Sequence, residues 1–169
     1  MLTELDLEIL GMEMQMGMRV QAMGRDPNEL VRSMRALPPA LISAYWTTDY
    51  ATRIDGVEVV VRVPEPTPEP LAADSWAIIT ACNPRSVPLP ERDNRRRQAL
   101  LAELVALHDY RALPAAGQSA DGSWSEPGLL VLGIPYALAR AFGSCFGQHA
   151  VVFAEAGGPV ELAFCDGGP

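Results

Sequence analysis

Trp76-Ala77-Ile78-Ile79-Thr80-Ala81 is an apolar run of strand length. It passes through Cys82 into the polar loop Asn83 to Pro90, and then into a helical pattern from about Glu91 to His108. Leu100, Leu101, Leu104, Val105 and Leu107 recur at helical spacing and mark that helix's buried side. Downstream the alternation continues: a short strand from Tyr110 to Ala115, a turn from Gly117 to Ser125 and an apolar strand from Gly128 to Ile134. A helix follows from Pro135 to about Phe142, then strands over Ala150 to Ala156 and Val160 to Cys165 joined by Gly157-Gly158-Pro159. Read from Trp76, the order is β-α-β-β-α-β with one extra strand. That order predicts an α+β domain: an antiparallel sheet with helices on one face, in a ferredoxin-like split β-α-β arrangement.

Upstream, Asp49-Tyr50-Ala51-Thr52-Arg53-Ile54 and Val57-Glu58-Val59-Val60-Val61-Arg62-Val63 flank Asp55-Gly56, the signature of a hairpin closed by a type I′ turn. Such a hairpin would extend one edge of the sheet. Prolines at 64, 66, 68 and 70 then predict a stiff, exposed connector without ladder or helix.

The first 37 residues differ in kind. All seven methionines fall at or before Met34. Leu2, Leu5, Ile9, Met12, Met16, Arg19 and Met23 alternate three and four apart, the seam of an amphipathic helix with Thr3 as N-cap. Asp26-Pro27-Asn28-Glu29 opens a second helix, which Pro38-Pro39 ends. The expected organisation is a helical extension over 1–37 and one α+β domain over 38–169.

Composition removes whole classes of function. The chain has 169 residues and a formal net charge of −8; its 13 basic residues are all Arg, so Schiff-base, Walker-type and general-base lysines are excluded. A pI near 4.7 argues against nucleic acid or an anionic membrane as partner. No apolar run reaches membrane-spanning length and the acidic start is unlike a signal peptide, so the expected location is cytoplasmic. Cys82, Cys145 and Cys165 lack paired spacing, and His108 and His149 form no ligand motif; no metal or other cofactor is expected.

The chemistry-bearing residues cluster after the decisive strand. Asn83 stands before Pro84 and near Ser86, while Asn94 and Arg97 share a face in the first turns of the helix. A helix N-terminus with an Arg fork suits phosphate or carboxylate. The plain alternatives are that Asn83 closes a turn and that Arg97 pairs with Glu91, Asp93 or Glu126. Trp124 and Glu126, two apart, point to one side of a strand, and Gln148 offers both a donor and an acceptor before the next strand.

These residues, taken with Tyr45, Thr48-Asp49-Tyr50, Ile79-Thr80-Ala81, Pro114, Gly117, Gly122, Pro127 and Phe146-Gly147, resemble a bacterial family known only as domain of unknown function 3293, over about 45–164. The resemblance implies that Asn83, Asn94, Arg97, Trp124, Glu126 and Gln148 belong to the family's signature, and it implies no activity. Gly128 departs from the serine usual at that position.

Three readings stand. The first is a small-ligand module in which Asn83, Ser86, Asn94 and Arg97 hold an anion or nucleotide-like ligand while Trp124, Glu126 and Gln148 read its polar edge. The second is a partner-binding or inhibitory protein, or a homo-oligomer, acting through the Met-rich helix. The third is an enzyme with Glu126 as acid or base and Arg97 and Asn83 stabilising charge, although no nucleophile beyond Ser86 or Cys82 is evident.

Overall fold

The computed structural model describes residues 25–165, so the expected helix over Leu2 to Met23 lies outside the described residues. Contacts divide the chain into two units, Met1–Thr47 and Thr48–Pro169.

In the first unit, helix α1 (Pro27–Arg35) starts as the sequence suggests, with Asp26 as N-cap accepting a bond of 2.9 Å from the Asn28 amide and Pro27 in the first turn. Pro38-Pro39 does end it. The same pair then opens a further helix, α2 (Pro39–Thr47), which the sequence pattern does not predict: proline is at home in a first turn, and the Leu41 and Ile42 amides donate to the Pro38 carbonyl.

The second unit is an α+β fold built on one curled, antiparallel, seven-stranded sheet of order β2-β1-β4-β5-β3-β6-β7. Its strands are β1 (Thr48–Ile54), β2 (Val57–Val61), β3 (Trp76–Ile79), β4 (Arg111–Ser119), β5 (Ser125–Leu132), β6 (Ala150–Ala154) and β7 (Glu161–Phe164). Helix α3 (Glu91–Leu107) follows β3, and α4 (Tyr136–Cys145) follows β5. The hairpin β1–β2 forms with Asp55 and Gly56 both at positive φ, as a type I′ turn requires, and sits at the sheet edge.

Alternation along each strand sorts the core. Ala77 and Ile79, Val131, Val151 and Phe153, and Ala163 gather with Leu101 and Val105 of α3 and Ala139 and Phe142 of α4 in one buried cluster. The alternate residues, among them Trp76, Ile78, Leu130, Val152, Tyr50 and Val61, are buried as well.

On α3 only part of the expected apolar side is buried: Leu101 and Val105 are, whereas Leu100 and Leu107 are 49% and 80% exposed. Two expectations about the sheet and its connector also fail, for physical reasons. Strand β4 runs on to Ser119 instead of turning at Gly117, because Gly117 pairs with Glu126 inside the ladder and a Cβ there would press within 3.3–3.5 Å of the Thr48 methyl and the Tyr50 ring. It is a packing glycine; the turn proper lies beyond it, around Gly122 at φ +71. The Pro-rich connector also takes part in pairing. Carbonyls still accept where proline removes donors: Val160 N donates to Glu65 O at 2.9 Å, Thr67 Oγ1 donates to Gly158 O at 2.6 Å, and Pro66 bridges Pro159. The two ends of the sheet therefore meet at this junction. Among the described residues no helix is long and apolar enough to cross a membrane.

Candidate functional site

The ladder between β3 and β5 ends at Ile79–Leu129. Past that point β3 turns away into its loop, and β5, still paired with β4, presents a locally free edge. Pro127 is tolerated there because no N–H is required of it, and its carbonyl accepts the Thr80 hydroxyl at 2.8 Å. Gly128 allows the close approach, since a Cβ at that position would lie 2.9 Å from the Ile79 carbonyl oxygen. The departing loop is strained: Asn83, Arg85 and Ser86 all hold positive φ (46, 55 and 59°), with a single 3-10 turn over Pro84–Ser86.

Asn83 is the hub of what holds it. Its backbone N–H donates to Asn94 Oδ1 at 2.9 Å, and its Oδ1 accepts from Asn94 Nδ2 at 2.8 Å and from Leu89 N at 3.0 Å. Its Nδ2 donates to Glu126 Oε2 at 2.7 Å. The Asn83 side chain thus holds the loop through Leu89 and Asn94 and reaches Glu126 with its remaining amide hydrogen-bonding capacity.

Arg97 braces the same loop from the α3 side. Its Nε donates to Ala81 O at 2.7 Å and its Nη2 to Phe146 O at 2.6 Å, with the guanidinium 5.8 Å from the Phe146 ring centroid. It joins the end of β3 to the turn between α4 and β6, and none of the ion pairs expected for it with Glu91, Asp93 or Glu126 is seen. Gln148, buried, donates from Nε2 to Cys82 O at 2.8 Å, and Arg85 N donates to Gly147 O at 2.8 Å, so the α4–β6 turn is stapled to the loop at two points and to α3 through Arg97 at a third. Gln98, missed in the sequence, accepts from Ala81 N at 3.0 Å. It lies four residues after Asn94, and Asn94, Arg97 and Gln98 form one helix face, a spacing that was there to be read.

The structure therefore brings together Asn83, Asn94 and Glu126 directly, with Arg97 and Gln148 as supports. Ser86 enters through its backbone, donating to Asn83 O at 2.9 Å. Trp124 stands 45% exposed in the β4–β5 turn, two residues before Glu126; its backbone is held by Ser119.

Electrostatically, Glu126 is the anomaly. Burial raises its pKa above the ordinary carboxylate value, against the lowering effect of the Asn83 hydrogen bond and of the nearby Thr80 hydroxyl. Burial likewise pushes the Cys82 thiol up, which leaves it a poor nucleophile. Among the described residues no group of histidine, cysteine and carboxylate side chains is arranged to hold a metal ion. In the first turn of α3 Glu91 and Asp93 already face the positive end of the helix dipole.

Residues 79–151, from the last residue of β3 into β6, match the family described as "Protein of unknown function (DUF3293)". The matched segment contains every residue of the Asn83–Glu126 network. No curated protein and no solved structure matches the chain.

Proposed function

We propose that this chain, whose central segment carries a family of unknown function, is a small-ligand binding module in which the Glu126 carboxylate receives hydrogen-bond donors of the ligand. The observation that supports this is Glu126 itself. It is partly buried at a cost in desolvation, fixed through one oxygen by the amide of a strained residue, and has no cationic partner within ion-pair distance among the described residues. An ionised carboxylate has about four lone-pair sites, and the Asn83 amide takes one of them, which leaves others for a ligand. Exposed Trp124, two residues before Glu126 in the turn, offers a stacking face. A neutral or cationic ligand with N–H groups suits this site better than the anion the sequence suggested, because the Arg97 fork is committed to two carbonyls.

For the fold, we read the middle of the sheet, β6-β3-β5-β4 with α3 after β3 and α4 after β5, as a ferredoxin-like split β-α-β unit widened by β1, β2 and β7. The three free cysteines and the acidic composition favour a cytoplasmic setting.

The test is thermal unfolding of the intact protein, of Glu126→Gln and of Arg97→Ala against nucleosides, amines, guanidines, phosphorylated metabolites and carboxylates. A donor-bearing compound at about 100 times its dissociation constant should raise Tm by roughly 5–10 °C in the intact protein, and the shift should vanish in Glu126→Gln. No shift with any compound, or a shift produced by anions and retained in Glu126→Gln, overturns the proposal. The raised pKa of Glu126 favours a second reading, a general acid; turnover that follows a single ionisation and is lost in Glu126→Gln would select it.

A further inference from the structure

Strand β2 lies at the end of the sheet: β1 pairs with one side of it, and among the described residues no strand pairs with the other side between Val57 and Val61. The closure that joins the sheet's ends begins only at Glu65, beyond Pro64. A free edge exposes unpaired N–H and C=O groups and is a template for another strand. Short length and charged side chains can blunt such an edge, and β2 carries two charges, Glu58 and, just past its end, Arg62. Their spacing does more than repel. We propose that the outer edge of β2 is an interface with a second copy of this chain, the two strands pairing antiparallel about a two-fold axis at Val60.

In that register Val57 faces Val63 of the second copy, Glu58 faces Arg62, and Val59 faces Val61. It is the one antiparallel register in which both charges meet their opposites: an axis at Glu58 or at Arg62 sets like charges face to face, and an axis at Val59 or Val61 leaves each opposite an uncharged residue. Glu58, Val60 and Arg62 share one face of the strand by alternation. On that face Arg62 is already oriented by the neighbouring strand, its Nε 2.6 Å from Asp49 Oδ1. Pairing would thus complete a charge row running Asp49, Arg62, Glu58 of the copy, twice by symmetry. Val57, 65% exposed, is an apolar residue that the pairing would cover. The symmetry is isologous and closes at two copies, so it does not build a fibre. Proline at 64 and the Glu65–Val160 bond stop the ladder at Val63, which keeps the interface small and the association concentration-dependent.

The experiment is sedimentation equilibrium of the intact chain, of Glu58→Arg, of Arg62→Glu, and of an equimolar mixture of the two variants, with circular dichroism confirming that each is folded. The intact chain should dimerise as concentration rises. Each variant alone should dimerise at least about tenfold more weakly, because both symmetric junctions become like-charged. The mixture should recover dimer as a heterodimer, since each variant then meets its opposite. A monomer at all concentrations overturns the proposal. So does a dimer that Glu58→Arg leaves unchanged, or a mixture that behaves as the sum of its parts.

Discussion

Asn83 commits its backbone N–H, its amide oxygen and its amide nitrogen to four bonds while sitting in the left-handed region. Asn83→Ala removes the side-chain bonds and retains the strained φ without compensation, so urea denaturation should show a loss of about 2–3 kcal/mol; Asn83→Gly, which relieves the strain, should lose less. At Glu126 the sign of the pH effect follows from its raised folded pKa. Between the unfolded value near 4.5 and that higher folded value the native state binds the proton more tightly, so this residue's contribution makes the protein less stable as pH rises through the window. Glu126→Gln should flatten that part of the stability profile. Asp121 acts oppositely. Ser123 N–H, its hydroxyl and the Ser119 hydroxyl lower its pKa to about 2, so its stabilisation is present above the unfolded 3.8 and is lost as pH falls from there toward 2. Stability curves of Asp121→Asn and the intact chain should therefore converge at the acid end.

At the level of elements, the site is a seam where β3, α3 and the α4–β6 turn are tied by side chain to carbonyl bonds. Arg97→Ala should cost about 2–4 kcal/mol in chemical denaturation, and Arg97→Lys should recover little, because a single ammonium cannot span two carbonyls that a planar fork reaches together. Helix α4 packs so closely that a Cβ at Gly143 would lie 2.5 Å from Cys165 Sγ and 2.6 Å from Val151 Cγ1, so Gly143→Ala should lower stability by about 1–3 kcal/mol despite its better helix propensity. The elements most legible in the sequence were those set by local pattern: the strand at Trp76, the 17-residue α3, the Asp55-Gly56 hairpin and the Asp26 cap. Those set by distant partners were not. Gly117 looks like a turn until Tyr50 is seen over it, and Pro39 looks like an end until it serves as a beginning. Asn83, Asn94 and Glu126 could be named as candidates, and so could Arg97, but its partners could not: backbone carbonyls of Ala81 and Phe146 have no signature in side-chain identity.

Across the whole second unit, the sheet bends until the segment after β2 meets the segment before β7. Thr67→Val, which deletes the hydroxyl donated to Gly158 O, should cost about 1 kcal/mol, measured by the midpoint of urea unfolding with an unchanged denaturant slope. The partners in this junction are separated by 91 residues of chain. A contact of that span carries a large closure entropy, so we expect it to form after the hairpins and the β3–α3 unit have drawn its ends together. The clasp therefore belongs to the descent from the transition state to the native basin. Loosening it should leave the refolding limb of a chevron plot in place and raise the unfolding limb, so the lifetime of the folded molecule, more than its ability to fold, is set where its two sheet ends touch.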